Sequence, residues 1–136
     1  MKAFENLNVP CPMHVYHEPG TENLLLLHQL APWGGAGRIL RIKDDKNVSD
    51  FQVLAAPDRI FYGLAFDPDY ATNGYLYAGS NGPMTTAPKT TRVSRFTVDR
   101  KAPFAIDPKS EFIVIEWESD GHNGGDLAFG IDGMLY

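Results

Sequence analysis

An all-β fold of repeated four-stranded antiparallel units is what this 136-residue sequence predicts, and three observations carry the prediction. Its 13 glycines and 10 prolines are spread along the chain, where they punctuate short apolar runs rich in Val, Ile, Leu, Phe and Tyr. The segments RILRIK and RVSRFTV alternate apolar and polar residues, which places one face of each in a core and the other in water. LAFDPDYATNGYLYAG, from Leu64, and LAFGIDGMLY, from Leu127, share a plan of Leu-Ala-Phe, an acidic turn, a glycine and an apolar residue before Leu-Tyr. Their starts lie 127 − 64 = 63 residues apart, and MHVYHEPGTENLLLL, 64 − 13 = 51 residues before Leu64, is a looser copy.

Each copy reads as a hairpin: a strand, a turn built from Pro, Asp, Asn and Gly for their backbone preferences, and a return strand. The first is formed by strands at 13–16 and 23–29, followed by strands at 38–43 and 51–54. The second is formed by 61–67 and 74–79, followed by 90–98 and 112–117, and GPMTTAPK reads as an exposed loop between the middle pair. The last hairpin has strands at 126–130 and 134–136. No window offers a capped amphipathic helix of ten or more residues.

A four-stranded antiparallel unit recurring at this period is the signature of a β-propeller blade, although a sandwich or barrel also has many short strands at regular spacing. Counted as blades, residues 1–136 form one domain with approximate blades at 12–56 and 60–118 and the start of a third at 125–136, about two and a half in all. A propeller ring closes with four or more blades, so the chain is expected to be an incomplete propeller. Its open blade edges are expected to promote oligomers or low stability.

Composition narrows the functions. With 43% hydrophobic and 21% charged residues the chain is expected to be folded. Twelve basic and 17 acidic residues give 12 − 17 = −5, which disfavours nucleic acid and anionic lipid as partners. Cys11 is the sole cysteine, so no intrachain disulfide forms. The amino terminus lacks the apolar core of a leader, and the longest apolar run, Leu24 to Leu27, is far too short for membrane insertion. Both a cytoplasmic protein and a secreted one recorded without its signal fit these residues.

His122 is the candidate catalytic residue, because an imidazole takes up a proton readily near neutral pH. Gly121, Gly124 and Gly125 around it would let backbone approach a planar ligand closely. The plainer reading of a histidine among glycines is a surface polar residue. Asp120 and Asp126 could orient the imidazole or help hold a cation, but turn chemistry explains both, and DGHNGGD lacks the alternating ligands of a calcium loop. No metal site is therefore expected. His14 and His17 form HxxH, which in a strand sends the two side chains to opposite faces, and His28 reads as structural or channel-lining. GGAG in APWGGAGRI lacks the lysine and the helix of a phosphate loop, while Trp33 beside it could stack on a sugar.

FYGLAFDPDYATNGYLYAGS, RVSRFTV and HNGGDLAFGIDGMLY together resemble the glucose/sorbosone dehydrogenase family of soluble quinoproteins, in that family's order and at about its spacing. The resemblance covers nearly the whole chain, from AFENL onward, as the amino-terminal portion of such a protein. It implies a six-bladed propeller with a cleft at the top of its channel. There pyrroloquinoline quinone (PQQ) takes a hydride from an aldose or sorbosone, a histidine removes the hydroxyl proton, calcium polarises the quinone, and an external electron acceptor follows. By position the resemblance makes His122 the base, places Gly121 and Asn123 of its loop against the cofactor, and puts Asp58 on the cleft rim. It implies that most quinone and calcium ligands lie beyond residue 136, so that the chain alone is inactive, and that the protein is periplasmic or secreted.

Two departures accompany it. Gly121 separates Asp120 from the histidine where some members place an aspartate directly before it, and FYGLAFD stands for the usual LLGLAFH. The same architecture occurs in extracellular interaction proteins, so a non-catalytic binding propeller is the competing expectation.

Overall fold

The structure, a computed structural model, describes residues 3–32, 34–120 and 122–136. It is all-β: two four-stranded antiparallel sheets, each with its strands in sequence order. The first holds β1 (Pro12–His17), β2 (Asn23–Gln29), β3 (Gly37–Lys43) and β4 (Gln52–Ala55). The second holds β5 (Ile60–Phe66), β6 (Tyr75–Gly82), β7 (Thr90–Thr97) and β8 (Phe112–Glu118).

The uninterrupted apolar run of β2 is explained by burial on both faces. Leu24 and Leu26 join Leu40, Ile42 and Val48, with Phe4, Leu7 and Val9 of the amino-terminal segment packed over them. Leu25 and Leu27 face the other way, into a larger core shared by both sheets, with Ile39, Phe61, Leu64, Leu76, Phe96 and Val98. Each fully buried leucine contributes about 2 kcal/mol by removal from water, so this shared core holds the sheets face to face.

Polar groups fix their register. Glu18, in the turn after β1, is only 1% exposed. It accepts hydrogen bonds from Arg41 Nε at 2.8 Å and from Tyr70 Oη, across the sheet interface, at 2.7 Å. Arg41 Nη1 also donates to the Phe104 carbonyl at 2.9 Å. Near the other end of the interface Gly37 N–H donates to the Arg59 carbonyl at 2.7 Å, and the Tyr16 hydroxyl accepts from Leu64 N–H at 3.2 Å.

The turn DPDYATNG contains one helical turn, α1 (Tyr70–Asn73), where the sequence suggests only a loop. Asp67 Oδ1 accepts from Asp69 N–H and Asn73 Nδ2, each at 2.9 Å, and this local capping winds the chain. Gly74 ends it at φ 70°, donating to the Tyr70 carbonyl. A 3-10 turn, Pro108–Ser110, also escapes the sequence pattern, started by Asp107, whose side chain accepts from Lys109 N–H.

The third copy of the repeat forms a short hairpin. Ala128 and Tyr136 exchange backbone hydrogen bonds at 3.0 and 2.8 Å, and Phe129 bridges Leu135. Asp132 Oδ1 accepts from Met134 N–H at 3.0 Å and shapes the turn. The ladder is one bridge long, shorter than the strands expected at 126–130 and 134–136.

Candidate functional site

The chain leaves β8 and crosses back over the second sheet before reaching the third hairpin. Two devices fix this crossing. Ser119 Oγ donates to Asn123 Oδ1 at 2.6 Å, and Asn123 Nδ2 donates to Thr91 Oγ1 at 2.7 Å. Buried Asn81 completes the lattice, donating to Thr91 Oγ1 at 2.9 Å and to the Ser119 carbonyl at 3.0 Å. Beyond it the backbone at Gly125 lies flat on the sheet: a Cβ at Gly63 or Gly79 would stand 2.5 Å from the Gly125 carbonyl oxygen. Only glycine permits that approach, which explains the Gly in FYGLAF and in YAGS. Phe129 then meets Tyr77 edge-on at 5.3 Å between ring centroids.

His122 sits at the head of this pinned segment with φ 57°, in the left-handed region, and its side chain is exposed. Together with Ile60, Tyr62, Asn81, Lys89 and Asp120 it lines a cleft of about 400 Å³. That volume lies within the range of small-molecule sites. The cleft offers an imidazole, an amine, a carboxylate and an aromatic ring around an apolar patch.

The other residues singled out from the sequence have these places. Asn123 is half-buried, with both ends of its amide engaged in the lattice. Asp58 is exposed and accepts from the Thr85 hydroxyl and, at 3.2 Å, from Thr85 N–H. The Thr85 hydroxyl bond holds its carboxyl below the usual range. Its carbonyl accepts from Met84 N–H at 3.0 Å, so Asp58 fastens the loop that carries Met84 to the cleft. Asp126 is exposed and accepts from Leu127 N–H at 3.1 Å. Burial pushes the nearby Tyr16 phenol up, with the Asp126 charge adding to it. Gly121 and Trp33 lie outside the described residues.

His14 and His17 are exposed on β1, and His28 Nδ1 meets the Pro10 carbonyl at 3.2 Å. GGAG leads into β3, not into a helix. Among the described residues no three His, Cys, Asp or Glu side chains converge to hold a metal ion. Sequence reasoning missed Tyr62, Asn81 and Lys89. Tyr62 and Ile60 are two apart on β5, the period that puts them on one face, and that spacing was the available signal for the first two residues of the cleft wall.

No family model matches the chain. The Hedgehog-interacting proteins of Mus musculus and Homo sapiens are each 34% identical to it over 94 residues, covering 62% of this chain and 13% of theirs. Among solved structures, a proposed oxidoreductase (glucose dehydrogenase) from Thermus thermophilus superposes with a TM-score of 0.60 at 19% identity, over 94% of this chain and 36% of that one. The chain thus spans about an eighth of the curated relatives' length and about a third of the solved structure. It shares the fold of that dehydrogenase, and its two sheets are consecutive blades of such a propeller.

Proposed function

We propose that the intact protein is a quinoprotein-type sugar dehydrogenase and that His122 is its general base. The observation that carries this reading is the placement of His122 on a segment locked by the Ser119–Asn123–Thr91–Asn81 lattice, its side chain lining a cleft beside Lys89, Asp120 and Tyr62. A general base contributes most when its position is fixed in advance.

The residues present fit one side of a quinone-and-sugar site. PQQ is a flat tricarboxylate, for which the Lys89 amine is a complementary charge and the Tyr62 ring an apolar neighbour. They do not form a calcium cage, so such ligands would come from other blades. A bound quinone would supply the acceptor for the hydride of the anomeric carbon. His122 takes the proton from the anomeric hydroxyl, so carbon loses two electrons and one hydrogen while oxygen loses the other as a proton. Asp120 borders the same cleft and is placed to hold a sugar hydroxyl. Asp58 acts at one remove, through the loop it fastens. Reoxidation of such a site would need an external electron acceptor, and a periplasmic or extracellular location suits such a reaction.

In the full-length protein supplied with PQQ, calcium and aldoses, His122→Ala is expected to lower turnover by about two to four orders of magnitude with an unchanged circular dichroism spectrum. Near-full turnover in the variant would overturn the assignment.

A second reading has its own support. The 34% identity is to proteins whose name records an interaction, not a reaction. On that reading the propeller presents the cleft rim to a protein partner. Spectroscopic titration of PQQ into the full-length protein separates the two: calcium-dependent binding favours the dehydrogenase, and none favours the binding module.

A further inference from the structure

The opposite face of β5 carries a second cavity. Ile60 and Tyr62 line the cleft with His122, whereas Arg59 and Phe61 line a separate cavity of about 220 Å³ between the two sheets. Its walls are largely apolar, including Leu54, Phe61, Phe96 and Ile106. Three charged residues line it: Arg59, Arg92 and Glu111.

The two arginines are not matched alike. Arg92 is paired with Glu111 at 2.8 Å and lies 3.8 Å from Glu116. Arg59 is 7% exposed, and none of its nitrogens lies within ion-pair distance of a carboxylate among the described residues. It donates through Nε to Ser80 Oγ at 3.0 Å and through Nη2 to the Thr90 carbonyl at 2.6 Å, both neutral acceptors. Its Nη1 has no hydrogen-bond partner among the described residues. Burial weakens the guanidinium's hold on its proton and Arg92 adds repulsion, while the charges of Glu116, Glu111 and Asp58, none in direct contact, act the other way. A buried cation of this kind costs stability unless an anion meets it.

We propose that this cavity binds a small aliphatic monocarboxylate, with its carboxylate on Arg59 and its chain against Phe61, Phe96, Leu54 and Ile106. Size selects the ligand class. An engineered cavity of about 150 Å³ holds benzene, so 220 Å³ holds a carboxylate with about five further carbons and excludes a long fatty acid. Charge selects the head group: Arg59 Nη1, without a protein acceptor among the described residues, offers a carboxylate one charge-assisted hydrogen bond. The site is independent of the cleft at His122, and its occupancy is read by binding, not turnover.

The test is calorimetric titration of the full chain with hexanoate, hexan-1-ol and acetate. Hexanoate is expected to bind at least tenfold more tightly than either of the others and to raise the melting temperature as its concentration rises. Arg59→Gln is expected to abolish the preference for hexanoate over hexan-1-ol. Ile106→Trp, which fills the cavity and leaves Arg59 in place, is expected to abolish hexanoate binding and keeps the test informative if Arg59→Gln unfolds. Equal binding of hexanoate and hexan-1-ol, undiminished binding by Ile106→Trp, or no binding of hexanoate would each overturn the proposal.

Discussion

Glu18 shows most plainly what a single residue does here and how little of it a sequence betrays. In HEPG nothing singles it out, yet it is buried and joined to Arg41 from β3 and Tyr70 from α1. Nothing in the linear pattern links positions 18, 41 and 70; only the stacking of two sheets does. His122, by contrast, draws notice in the sequence as a candidate, because HNGG is a local motif and needs no partner to be noticed. Burial alone pushes the Glu18 carboxyl up, but the hydrogen bonds from Arg41 and Tyr70 and the Arg41 charge outweigh it and hold the carboxyl below its ordinary 4.5. A depressed carboxylate contributes stability above its unfolded value and loses it as pH falls through the folded one. Urea unfolding between pH 3 and 7 is therefore expected to show stability falling with acid below about 4.5, with a shallower fall in Glu18→Gln. At pH 7 that variant is expected to be less stable by about 3 kcal/mol, because Arg41 is left buried with its charge unanswered. Equal acid slopes in the two proteins would show that Glu18 is not the titrating group.

At the scale of elements, the eight strands of the two sheets were legible and most of their ends nearly so, whereas the strands expected at 126–130 and 134–136 shrink to one bridge and β6 runs three residues past the end expected for it. The run 23–29 is β2 residue for residue, the strand expected at 38–43 differs from β3 by one residue at one end, and that expected at 61–67 is shifted from β5 by one residue. Two-residue periodicity and glycine or proline punctuation are local, so a single sequence carries them. The helical turn at Tyr70–Asn73 was not legible, since its four residues depend on Asp67 reaching back over them. Packing of the third hairpin on the second sheet was equally hidden, because it rests on the absence of side chains at Gly63 and Gly79. Gly63→Ala is expected to cost about 1 to 3 kcal/mol through overpacking, and to raise hydrogen exchange of the amides at 123–128. If exchange there stayed at the parental rate, the crossing segment would not rest on that glycine.

The whole molecule leaves one strand bare. Phe112, Ile113, Val114, Ile115 and Trp117 of β8 are all exposed, on the outer edge of the second sheet. An apolar edge strand with free backbone groups is a template for further pairing. Sedimentation velocity of the 136-residue chain is expected to show self-association that grows with concentration, and Ile115→Lys is expected to shift it toward monomer without altering the circular dichroism. A parental chain that stayed monomeric throughout would refute this. The backbone at His122 reaches further still. At φ 57° the peptide accepts glycine, asparagine or aspartate at least as readily as histidine, and β-branched residues poorly. Conformation and chemistry therefore select by different rules at this position. One nucleotide turns a histidine codon into an asparagine codon, keeping the loop's shape while deleting its proton acceptor. If His122 is the base proposed above, one such step would end the reaction and retain the scaffold, leaving its surface for display.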